Sequence, residues 1–218
     1  MTVAEPVPIP RPPLFRGLVH GIAFAVSVPA GVALIMAAQG LRTRIGVAVY
    51  VLSLTVQFGA SAAYHLGAWS ERAYARMRQL DHASIFVLIA GSYTPLCLAA
   101  LHGTASASML AFVWGGAAIG VATKLYRVDL HVVSGFMYVG LGWASVLIFP
   151  ALARELSATE FTLTVAGGIV YTAGAITLAT HRPDPLPNTF GYHEVWHTAT
   201  VVAAACLYAA ILLTVLRA

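Results

Sequence analysis

Apolar residues dominate the chain in seven stretches separated by short polar or proline-bearing breaks: Gly17 to Gln39, Ile45 to Gly67, Asp81 to Leu101, Ala105 to Lys124, Leu130 to Ala151, Glu160 to Thr180 and Tyr192 to Leu216. Each has about the 20 mostly apolar residues that a helix needs to cross a hydrocarbon core. The pattern predicts an all-α integral membrane protein, a bundle of seven transmembrane helices occupying residues 17–218. Residues 1–16, MTVAEPVPIPRPPLFR, contain five prolines and no apolar core. They read as an extended Pro-rich tail rather than a cleavable signal peptide, which leaves the first span as the insertion signal.

Composition agrees with that picture. Of the 218 residues, 59% are hydrophobic and 9% charged, against about 25% charged in a soluble domain. The net charge of +4 does not point to nucleic acid, because the basic residues sit in short loops beside apolar spans and so report membrane orientation. With the N-terminus inside, Arg11, Arg16, Arg72, Arg76, Arg78, Lys124, Arg127 and Arg182 face the cytoplasm, and Arg42, Arg44, Arg154 and Arg217 face outward. The excess predicts a cytoplasmic N-terminus and an extracytoplasmic C-terminus in the cell membrane. Cys97 and Cys206 fall inside spans and read as small buried fillers. Glycines such as Gly115-Gly116 and Gly167-Gly168 predict close helix approach. Pro29, Pro95 and Pro150 are expected to kink their spans.

Ionisable groups inside a membrane are costly unless they pair or line a cavity, so each is a functional candidate. Ser61 and His65 stand one helical turn apart near the end of the second span. Asp81 and His82 open the third, where an aspartate also suits an N-cap. His193 and His197, again four apart, begin the seventh and can chelate one metal. With the N-terminus inside, the second span ends in the leaflet where the third and seventh begin, so residues distant in sequence converge at one depth. Three imidazoles with an open position form a catalytic type of zinc site; the same ligands also take copper, iron or nickel. Asp81 is the expected general base, and Ser61 is expected to orient His65 or donate to developing charge.

The remaining histidines, His20, His102, His131 and His181, read as interfacial snorkelling residues, and His82 as lying outside the metal shell. The polar segment Gly91-Ser92-Tyr93-Thr94-Pro95 is expected to kink the third span and line the interior. His193-Glu194-Val195-Trp196-His197 matches H-E-x-x-H literally, which leaves an intramembrane protease with Glu194 as base as a minor alternative. No His, Glu or Asp follows His197, so a third ligand must come from upstream. The only lysine, Lys124, ends the fourth span and offers no seventh-helix amine for retinal.

The segments Ser61-Ala62-Ala63-Tyr64-His65, Leu80-Asp81-His82-Ala83-Ser84-Ile85-Phe86 with Ala90 to Pro95, and Phe190-Gly191-Tyr192-His193-Glu194-Val195-Trp196-His197 resemble those of the hemolysin III family. That family stands with the progestin and adiponectin receptors and, more distantly, the alkaline ceramidases. The resemblance covers about residues 16 to 217. It implies zinc held by His65, His193 and His197, Asp81 in contact with zinc-bound water, and Ser61 in the same constellation.

The leading expectation is a zinc-dependent hydrolase of a lipid amide or ester, its membrane lipid or acyl-chain substrate entering from the bilayer. The alternative is a zinc-braced receptor or regulator of membrane homeostasis. A pore-forming lysin fits less well, since the spans lack a polar stripe.

Overall fold

The computed structural model of the chain describes residues 13–126 and 130–217. Eight α-helices follow in order among the described residues: α1 (Leu18–Ala37), α2 (Leu41–Leu66), α3 (Glu71–Ala100), α4 (Gly103–Tyr126), α5 (His131–Trp143), α6 (Phe149–Glu155), α7 (Ala158–Thr180) and α8 (Tyr192–Arg217). A 3₁₀ segment, Ala144–Ile148, joins α5 directly to α6, so these three form one passage. Seven passages are thus long and apolar enough to cross a membrane, as the apolar pattern predicts.

Burial is arranged for lipid rather than water. Ile22, Val26, Leu52, Val56, Ile169 and Ile176 are exposed on outer faces, while Ser53, Gln57, Ser61, Asp81, Thr200 and His197 are buried. Many interior hydroxyls bond back to their own helix: Ser92 Oγ donates to the Leu88 carbonyl at 2.8 Å and Thr94 Oγ1 to that of Ala90 at 3.0 Å. Such bonds satisfy a hydroxyl without an outside partner. Gly91 in the same segment serves packing: a Cβ there would lie 2.7 Å from that of Ser53.

The break in the fifth passage has a local cause. Tyr93 Oη accepts the Ser145 N–H at 2.7 Å and donates to the Gly142 carbonyl at 2.6 Å, so α3 supplies bonds that an unbroken helix would make internally. Pro150 stands in the first turn of α6, where its missing N–H removes no helical bond. Close approach uses one glycine of each expected pair. A Cβ on Gly116 would meet Leu141 at 2.9 Å and one on Gly167 the Ala203 carbonyl at 3.2 Å, whereas Gly115 has open space.

The main departure from expectation is α3. It begins at Glu71, ten residues before the apolar run, because Glu71 to Leu80 is charged yet rich in strong helix formers (Glu, Ala, Arg, Met, Gln, Leu). Ser70 takes the N-cap position. Asp81 is therefore no N-cap: it lies inside α3, about 15 Å along its axis, where α3 crosses the end of α2.

Residues 1–12 of the expected tail lie outside the described residues. The last ones described are held: the N–H groups of Leu14 and Phe15 donate to the carbonyls of Asn188 and Thr189, both at 3.1 Å. Arg16 Nε then donates to Glu194 Oε1 at the start of α8. At the far end of α8, Arg217 donates through Nε and Nη2 to the Glu160 carboxylate at 3.2 and 3.0 Å and through Nη2 to the Glu155 carbonyl at 2.7 Å. Glu160 itself forms a capping box with Ser157 that starts α7.

Candidate metal centre

α1 and α8 begin, and α2 ends, at one end of the bundle. α2 carries Gln57, Ser61 and His65 at spacings of four, so all three share one face. α8 contributes His193 and His197 from its first two turns, and α3 brings Asp81 alongside. His65, His193 and His197 each offer one ligand atom, and these atoms lie within 4.8 Å of one another. Their rings form a triangle, with centroids 4.6 to 5.0 Å apart.

The donor set fits a small divalent ion. His65 Nε2 and His193 Nε2 are 3.3 Å apart, and two imidazoles on a tetrahedral ion, each about 2.0–2.1 Å from it, have their nitrogens about 3.3–3.4 Å apart. Asp81 Oδ2 lies 3.9 Å from His65 Nε2, too far for a hydrogen bond, so the carboxylate stands beside the triangle rather than on a ring nitrogen. Asp81 is 7% exposed and Ser61 1%. Ser61 and Gln57 present their polar ends to the Asp81 carboxylate, and Gln57 Oε1 accepts from Ser84 Oγ at 2.7 Å. Ser61 Oγ faces Asp81 without a hydrogen bond of normal geometry among the described residues.

Glu194, by contrast, is fully engaged. Its side chain is 0% exposed; Oε1 takes the Arg16 Nε–H and Oε2 accepts the Gly191 N–H at 2.9 Å. The second bond is half of a capping box at the start of α8. Glu194 thus holds the helix that carries two of the histidines.

A profile for the family described as Haemolysin-III related matches residues 10–208. The chain belongs to the hemolysin III family. It is similar to the protein named Hemolysin-3 homolog of Bacillus subtilis (strain 168), 29% identical over 201 residues that cover 90% of this chain and 91% of that protein. It is also similar to Hemolysin-3 of Bacillus cereus, 30% identical over 205 residues, covering 92% and 90%. No solved structure matches the chain.

Three residues around this hemolysin III family cluster escape the sequence reading. Gln57 continues the Ser61–His65 stripe one turn back and was legible from that spacing alone. Arg16 sets a positive charge beside the three rings, its position fixed by Gly17. Gly17 has φ +80°, and a Cβ there would lie 2.6 Å from that of His65. His20 is the clearest correction: it does not snorkel but is 2% exposed and stacks on His197 with centroids 3.8 Å apart and rings 10° from parallel.

Proposed function

We propose that this hemolysin III family member is a zinc-dependent hydrolase of a lipid amide or ester, working at the cytoplasmic face of the cell membrane with its C-terminus outside. The observation that carries this reading is the buried Asp81 carboxylate beside the three-histidine cluster. An ion that merely braced helix ends would need His65, His193 and His197 but no carboxylate next to them.

A zinc ion held by those histidines would supply Lewis acidity and make water acidic enough to act as a nucleophile near neutral pH. Asp81 Oδ2 is the base that takes the proton from the attacking water. Ser61 Oγ, buried beside Asp81, donates to the carbonyl oxygen as it gains charge. As the new C–O bond forms and the C–N or ester C–O bond breaks, Asp81 returns its proton to the departing amine or alcohol. Gln57 keeps Asp81 oriented through the exchange. The apolar outer faces suit a substrate arriving from the bilayer.

Asp81→Asn tests the assignment because it keeps size and polarity while removing the base. Purified variant and wild type in lipid nanodiscs are compared for zinc content and for hydrolysed products by mass spectrometry, against a panel of amide and ester lipids. The variant should retain zinc and lose turnover by about 10²-fold to 10⁴-fold. Equal turnover in the two proteins would remove Asp81 from the chemistry, and no zinc-dependent hydrolysis in the wild type would replace the hydrolase with a zinc-braced regulator.

A further inference from the structure

His20 touches the metal cluster without being one of its three ligands, and its setting is built. Thr200 Oγ1 donates its only proton to the His197 carbonyl at 2.8 Å. The 2.8 Å contact between Thr200 Oγ1 and His20 Nε2 therefore runs from a ring N–H to the hydroxyl oxygen. Both contacts are satisfied when His20 carries its proton on Nε2; its Nδ1 is buried without a partner among the described residues. Phe58 also contacts the ring, tilted by 48° at a centroid distance of 5.2 Å. The imidazole is thus clamped between Thr200, Phe58 and the face of His197.

What His20 supplies follows from what His197 lacks. Metal-binding histidines ordinarily have their second ring nitrogen tied to a carboxylate, carbonyl or water, which fixes the angle of the ring. Nδ1 of His197 is buried with no hydrogen-bond partner among the described residues. A near-parallel ring 3.8 Å away restricts rotation of His197 about its Cβ–Cγ bond by steric contact. The same geometry keeps His20 out of the ligand triangle, because a ring stacked face to face with a ligand does not aim a lone pair at that ligand's ion.

We propose that His20 is the positioning residue of the metal centre: anchored by Thr200, it clamps His197 by stacking and so couples α1 to metal retention. This rests on the reading of His65, His193 and His197 as metal ligands. The test uses full-length protein loaded with cobalt(II). Visible absorption reports the symmetry of the ligand field, and competition with a chelator gives the dissociation constant.

Wild type should take up about one cobalt, lost in the His193→Ala, His197→Ala double variant. His20→Ala should weaken cobalt binding about 10-fold to 100-fold, the range found when the groups that orient ligands are removed, and change the visible bands. His20→Phe, which keeps a stacking ring but not the Thr200 bond, should recover most of the affinity. If His20→Ala does not fold, Thr200→Val decides, since it removes only the acceptor. It should shift the bands and weaken binding severalfold.

Wild-type bands and affinity in His20→Ala, or in Thr200→Val where the first is unfolded, overturn the positioning role while leaving the metal site standing. X-ray absorption showing four imidazoles around cobalt overturns it by making His20 a ligand. A wild type that binds no cobalt overturns both this role and the metal-site reading beneath it.

Discussion

Replacing Glu194 by glutamine separates two roles for the carboxylate in His193-Glu194-Val195-Trp196-His197. Glutamine keeps the length of the side chain and an oxygen for the Gly191 N–H, so the capping bond of 2.9 Å survives and the charge facing Arg16 goes. A hydrogen bond to a charged group contributes about 1.5–3 kcal/mol, and breaking a wholly buried ion pair costs about 3–5 kcal/mol. Arg16 is 23% exposed, and its head regains some water when the pair is lost. That places the cost near the lower range, at about 2–3 kcal/mol.

For a chain of this size each kcal/mol moves the melting midpoint by about 2–4 °C, so the expected fall is roughly 4–12 °C. The four tryptophans allow it to be followed by intrinsic fluorescence in detergent. Arg16→Gln should also destabilise, because it strands a carboxylate with no exposure. The double variant should be more stable than the two losses added together, with a coupling of about 1–3 kcal/mol. Hydrolysis per folded molecule should be little changed in Glu194→Gln. Abolished hydrolysis with an unshifted midpoint would refute the argument, since Glu194 would then be the base and its bonds to Arg16 and Gly191 incidental.

Other expectations follow from the same geometry. The His193→Ala, His197→Ala double variant should lose the roughly stoichiometric zinc of the wild type, as measured by atomic emission on purified protein; full zinc content would remove the site. A reporter fused after Ala218 should be active only outside the cytoplasm, and cytoplasmic activity would reverse the assigned orientation. Gly17→Ala should cost about 1–2 kcal/mol for the left-handed backbone alone. It should also weaken zinc binding by pushing on His65, so equal zinc affinity in the variant would show that this contact yields without moving the ring.

The span count was legible because hydrocarbon imposes the same demand on every helix, some 20 apolar residues, and the loops between are short. His65, His193 and His197 were legible because turn spacing and span direction put them at one depth. α3 was misread at its start because hydropathy stops where Arg78, Gln79 and Leu80 lead outward, whereas helix propensity does not. His20 was passed over because a lone histidine near a span end carries no spacing signal; its partner Thr200 is 180 positions away. The break at Ala144–Ile148 was hidden for a similar reason. The group that stabilises it, Tyr93 Oη, belongs to another helix, so neither segment announces it alone.

The two ion pairs of α8 have a joint mechanical consequence. Arg16 grips its first turn through Glu194, and Arg217 at its last residue grips Glu160 and Glu155. Axial travel by one turn, about 5.4 Å, would have to rupture both grips at once, with Glu160 and Glu194 left buried without their arginines. The helix that carries two of the three imidazoles is therefore a tie rod rather than a piston. A signal leaving this end of the bundle would have to travel through helices without such double anchorage, and His193 and His197 would stay in register with His65 while it did.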